Sequence, residues 1–99
     1  MRNHPIAAIA TPPGSGGVGI IRVSGPNLVG LAELLLAKPP KPRFAHHLYL
    51  NDSHGNRLDE ALLIYFKGPA SFTGEDVLEL HCHGGAFLTQ MILNRVIEL

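Results

Sequence analysis

Ninety-nine residues, 45% of them hydrophobic and 16% charged, describe one globular domain with a modest core rather than a disordered chain. Eight basic residues balance eight acidic ones, which argues against a domain that grips a phosphate backbone unaided, since that task calls for a basic stripe. The single cysteine, Cys82, excludes an internal disulfide; no apolar run approaches the ~20 residues of a bilayer span, and MRNHPIAAIA contains no apolar segment with a cleavage site, so a cytoplasmic protein without membrane contact is expected.

Ile6 to Ala10 is a short apolar run closed by Thr11-Pro12-Pro13, which reads as a first strand and a loop, because proline has no N–H to give to a ladder. The loop continues through Gly14-Ser15-Gly16-Gly17. Val18 to Val23 predicts a second strand, with Ile21 and Val23 on one face and Ile20 and Arg22 on the other. Ser24-Gly25-Pro26 then opens a helix, with Ser24 as its cap and Leu28, Leu31, Ala32 and Leu35 at helical spacing. Pro39 and Pro40 stop it.

The stretch Lys38 to Arg43 is a stiff, basic, proline-rich connector whose charges are read as solvated. Phe44 to Leu50 predicts a strand, turned by Asn51 to Asn56 into the next one as a hairpin. Both alternating faces of Ala61 to Phe66 are apolar, which predicts a central strand covered on both sides. Gly68-Pro69 ends it. After the strand Val77 to His83, Gly84-Gly85 leads into a helix from about Ala86, whose Leu88, Met91, Ile92, Val96 and Leu99 form an apolar stripe. Strands and helices do not alternate regularly, so the fold class is α+β, with a mixed or antiparallel sheet and two helices. Leu99 still belongs to the stripe and no cap follows it, which reads as a C-terminally truncated piece of something longer.

The segment SFTGEDVLELHCHGG, Ser71 to Gly85, is the most informative part of the chain. Within its strand, Glu79, His81 and His83 fall on one side, and Leu78, Leu80 and Cys82 on the other. Such a polar face either lies in solvent or lines a pocket, because burying these groups unpaired costs several kcal/mol. Cys82, on the apolar side, reads as a buried, inert thiol.

Other motifs carry less. Gly14 to Gly19 satisfies G-x-G-x-x-G literally, but a strand rather than a helix follows, so a turn with close backbone approach is read in place of a dinucleotide site. His81-Cys82-His83 holds zinc-type donors, yet alternation sends Cys82 away from the two imidazoles, and no metal site is assigned; His46, His47 and His54 belong to a separate hairpin. No phosphate-cradling G-x-x-x-x-G-K-[ST] occurs. Arg22 and Glu79 remain, each a lone charge in an otherwise apolar strand. They form either an internal salt bridge that adds little stability or a ligand pocket with a donor fork and an acceptor pair.

IAAIATPPGSGGVGIIRVSG at residues 6–25 and GPASFTGEDVLELHCHGG at residues 68–85 occur in the order found in the N-terminal domain of the MnmE (TrmE) family of tRNA modification GTPases, which the chain resembles over essentially its whole length, 1–99. The resemblance implies a tetrahydrofolate-binding fold similar to the folate domains of the glycine cleavage T protein and dimethylglycine oxidase. It also implies a homodimer with folate held near its interface. The Arg of IIRVSG and the second Glu of GEDVLEL contact 5-formyltetrahydrofolate in the family, which maps cofactor binding to Arg22 and Glu79, with no catalytic and no metal-binding residue assigned. A carboxylate can accept from the N–H and the exocyclic amine of a pterin together; Arg22 would donate to a pterin or formyl oxygen or to the carboxylate tail of the folate, and these three stay open.

The family's whole protein is further implied to carry helical and GTPase domains, to use GTP with Mg and K, and to act with the flavoprotein MnmG (GidA) on C5 of the wobble uridine of certain tRNAs, the folate supplying the one-carbon unit. The helical and GTPase domains, the GTP, Mg and K sites and a further folate-binding Lys lie outside this stretch, which alone is expected neither to hydrolyse GTP nor to modify tRNA. The alternative is a purely structural dimerisation module without folate binding.

Overall fold

Five strands share a single sheet, and the two helices cover one of its faces. The computed structural model describes residues 5–10, 17–69, 71 and 74–99. Its elements are β1 (Ile6–Ile9), β2 (Val18–Gly25), α1 (Val29–Leu36), β3 (His46–Asn51), β4 (Arg57–Phe66), β5 (Asp76–His83) and α2 (Ala86–Glu98). The strand order is β1-β2-β5-β4-β3, and every pairing is antiparallel. The fold is thus α+β, with β5 inserted between the second and fourth strands.

Both helices pack on one face. Ile21 and Val23 of β2, Leu48 and Leu50 of β3, Leu63 and Tyr65 of β4, and Leu78, Leu80 and Cys82 of β5 form one cluster with Leu28, Ala32, Ile92 and Val96 of the helical segments. The opposite face carries the alternate residues, among them Ile20, Arg22, Leu62, Glu79 and His81, aligned by register: Ile20, His81 and Leu62 in one row, Arg22, Glu79 and Ile64 in the next. Among the described residues no helix is long and apolar enough to cross a membrane.

Several expectations change. β4 is interior but covered on one side: Ala61, Leu63 and Tyr65 are buried, whereas Leu62 is 43% exposed. Its second apolar face, Leu62, Ile64 and Phe66, is thus exposed or part-buried on the side that the helices do not cover. Ser24 does not cap α1. It is held in β2 opposite Val77, and the backbone N–H of Leu28 donates instead to Asp76 Oδ2 at 3.1 Å. The stripe of α2 is also narrower than its spacing implies, with Ile92 and Val96 buried, Thr89 beside them, and Met91 and Leu99 exposed.

The turn between β3 and β4 is as expected from its composition. Asp52 Oδ1 accepts the N–H groups of His54 and Asn56, both at 2.9 Å, and Gly55 takes a positive φ of 84°, which suits glycine. Of the glycine-rich stretch, residues 14–16 lie outside the described residues. Gly19 lies in β2, a strand and not a helix N-terminus, so the geometry of the dinucleotide fingerprint is not met.

Candidate functional site

The pairing of β2 with β5 sets Arg22 directly opposite Glu79, 57 residues apart in sequence. Arg22 donates from Nε at 3.0 Å and from Nη2 at 2.8 Å, both to Glu79 Oε2. The other carboxylate oxygen, Oε1, lies 2.9 Å from His81 Nε2; an ionised carboxylate only accepts, so the imidazole is the donor. Glu79 is thus gripped at both oxygens. Burial raises its pKa, but the hydrogen bonds from His81 and Arg22, together with their charges, outweigh that and hold the carboxyl below its ordinary value.

This ion pair forms part of the wall of an open cleft of about 530 Å³, lined by Arg22, Arg43, Phe66, Pro69, Ser71, Val77 and Glu79. The two side chains of the ion pair both line this cleft. The Glu79 side chain is 15% exposed, enough to present an edge to a ligand, and with Oε2 taking two Arg22 bonds and Oε1 one from His81, an acceptor position on Oε1 is left. Phe66 and Val77 add apolar wall. The arrangement sets a guanidinium and a carboxylate beside the apolar wall, which suits a small ligand with both polar and apolar edges.

Arg43 is exposed, as expected for the connector, and its position in the fold was not foreseen. Read as part of a solvated connector, it lines the cleft, its backbone N–H donates to Tyr65 O at 2.8 Å, and its guanidinium carbon lies 5.3 Å from the Phe66 ring centroid. Nearby, His46 Nε2 accepts the N–H of Lys41 at 3.0 Å, tying the connector down. Asp76 was also not singled out. It accepts from Leu28 N–H, from Tyr65 Oη at 2.9 Å and from Gly68 N–H at 2.9 Å, and so joins the start of α1, the end of β4 and the following turn behind the cleft. Burial raises the pKa of Asp76, but these bonds, chiefly those from Gly68 and Tyr65, bring it below the ordinary value, while burial and the Asp76 bond push Tyr65 up to about 12. An aspartate at the start of a strand gives no signal for this role.

A second opening of about 410 Å³ adjoins along β5, lined in part by Val18, His47, Glu60, Leu62, His81 and His83. His47 is 2.7 Å from Glu60 Oε2, and His83 Nδ1 is 2.7 Å from Asp59 Oδ1. His81 and His83 share the Glu79 side of the strand, as alternation predicted, but each is turned to a different carboxylate. Among the described residues no group of three or more His, Cys, Asp or Glu is placed to hold a metal ion. Cys82 is buried, and its thiol is pushed up to about 12 by burial and by the charge of Asp59, which makes it a poor nucleophile.

Residues 5–99 match the family model described as the N-terminus of the GTP-binding protein TrmE. The chain is 55% identical over 94 residues to a tRNA modification GTPase MnmE of Neisseria meningitidis serogroup C, a match covering 95% of this chain and 21% of that protein. It is 54% identical to the protein of the same name in Pasteurella multocida and 50% identical to that in Methylococcus capsulatus, each with the same coverage. The chain spans about a fifth of the length of these relatives.

Proposed function

The chain belongs to the family of TrmE N-terminal domains, and from that membership we propose that it is the module of a tRNA modification GTPase that binds a 5-formyltetrahydrofolate-type one-carbon cofactor. The observation that carries this reading is the Arg22–Glu79 pair in the wall of an open cleft. In this reading one pterin N–H takes the remaining acceptor position on Glu79 Oε1 and its neighbouring amine displaces one of the two Arg22 bonds at Oε2, Arg22 keeps Glu79 in its charged form, and Phe66 covers the ring. The cleft volume of about 530 Å³ falls within the range of small-molecule sites.

Calorimetric titration with 5-formyltetrahydrofolate tests the proposal. Glu79→Ala, once shown by circular dichroism to be folded, is expected to bind at least about tenfold more weakly, because a charge-assisted acceptor pair is lost. Equal affinity in the two proteins would reject the reading.

The second reading, a dimerisation module, is favoured by a separate observation: Ile6, Val18 and Leu62 are 48%, 56% and 43% exposed on the helix-free face of the sheet. A symmetric contact between two copies would cover these side chains. The two readings are compatible, and sedimentation with and without 5-formyltetrahydrofolate separates them. A dimer that persists while no folate binds leaves only the structural role. GTP hydrolysis with Mg and K, the partnership with the flavoprotein MnmG and action on the wobble uridine of tRNA are proposed for a whole protein of the relatives' length, about a fifth of which this chain matches.

A further inference from the structure

A carboxylate can select a ligand with two adjacent donors only if its plane is held and its charge kept, and the Glu79 side chain has three rotatable bonds with which to lose that orientation. We propose that His81 is the positioning residue of this site, its Nε2–H fixing Glu79 Oε1 while Arg22 fixes Oε2, so that the remaining acceptor edge of the carboxylate is presented to a ligand N–H. This deepens the pterin reading and rests on it.

The surroundings of His81 support the assignment. It stands two residues from Glu79 on the same strand face, and its register partners are Ile20 of β2 and Leu62 of β4, both apolar. Glu79 is flanked by Arg22 on one side and by Ile64 on the other. Among the described residues, His47 is engaged with Glu60, His83 with Asp59, and the Arg57 guanidinium carbon lies 3.8 Å from the Tyr49 ring centroid. Arg43 stands in the wall of the Glu79 cleft. Glu79 is therefore the polar neighbour that sets which ring nitrogen of His81 carries the proton, and the demand of a carboxylate for a donor places that proton on Nε2. Loss of this donor removes one of the influences that keep the Glu79 carboxyl below its ordinary value.

The test compares the wild-type protein with His81→Gln, whose amide can supply an N–H near Nε2, and with His81→Leu and His81→Ala, which supply none. Two measurements are made. In the first, without ligand, the Glu79 side-chain carboxyl is followed by carbon-13 NMR across a pH titration. The Leu and Ala variants are expected to titrate at higher pH by roughly half a unit or more, with Gln close to wild type. In the second, 5-formyltetrahydrofolate binding is titrated from pH 4.5 to pH 8. The Leu and Ala variants are expected to bind about five- to tenfold more weakly at neutral pH, with the acid limb of the profile moved upward, and Gln is expected to restore both.

An unchanged Glu79 titration together with unchanged affinity in the Leu and Ala variants overturns the assignment, as does an equal loss in the Gln, Leu and Ala variants with no displaced limb, which is the mark of a merely structural side chain. If the wild-type protein binds no folate, the pterin reading fails, while the ligand-free titration still decides whether His81 positions Glu79. If wild type and His81→Leu bind folate alike and Glu79 titrates alike in both, only the role of His81 fails.

Discussion

Arg22 and Glu79 were legible as single letters because a charge inside an apolar strand is expensive unless something answers it. Their mutual pairing is one of two open readings, and the structure shows that ion pair, whose two side chains also line the cleft. Arg43 and Asp76 were not legible. Arg43 sits among lysines and prolines, a composition that describes a solvated connector, and Asp76 gains its meaning only from donors 48, 11 and 8 residues away. Asp76→Ala would leave the hydroxyl of buried Tyr65 and two backbone N–H groups without their acceptor. A loss of about 3 kcal/mol in urea unfolding is expected, with Asp76→Asn losing less because it keeps an acceptor oxygen. A midpoint unchanged in Asp76→Ala would show that water replaces the carboxylate without cost.

Among the elements, alternation and helical spacing located all seven, and the errors were of boundary and of cover. Ser24 has the chemistry of a helix cap, but sheet pairing claims it first and the strand runs on to Gly25. The apolar faces of β4 were read correctly as apolar, yet both helices lie on the same side of the sheet, so burial reaches only one of them. Close packing of α2 on β2 depends on Gly19, where an added Cβ would come within 2.9 Å of Thr89 Oγ1. Gly19→Ala is expected to destabilise the protein by about 1 kcal/mol, and Thr89→Ala should relieve part of that cost. A double-mutant cycle of unfolding midpoints showing no coupling between the two positions would contradict the close approach.

The whole molecule has one covered and one open sheet face, and its ionisable groups define the range in which it is stable. Asp59, Asp76 and Glu79 titrate below their ordinary values in the folded protein, because hydrogen bonds from His83, Gly68, Tyr65, His81 and Arg22 among others outweigh burial. Their contribution is present above the unfolded carboxylate range, near about pH 4, and is lost as pH falls through the folded values. Cys82 and Tyr65 behave in the opposite sense. Raised from 9.0 and 10.0 to about 12, they favour the folded state while protonated, so stability falls once the unfolded chain begins to ionise near these ordinary values. Urea midpoints are therefore expected to form a plateau between about pH 5 and pH 9 and to decline on both sides. Midpoints unchanged at pH 3.5 or at pH 10.5 would show that these groups are no better held in the fold than out of it.

The order of elements, the direction in which Glu79, His81 and Arg22 point, the hairpin turn at Asp52 and the inward-facing Cys82 follow from the sequence alone, because each depends on a period or a turn chemistry contained within a few neighbouring residues. The two long motifs also carry the family. Tertiary structure alone decides that β5 enters between β2 and β4, that Arg22 meets Glu79 across 57 residues, and that the connector brings Arg43 to the cleft. Those outcomes depend on which strand edges pair and which face the helices cover. Such choices are made by hydrogen bonds and burial between distant segments, and no local pattern records them.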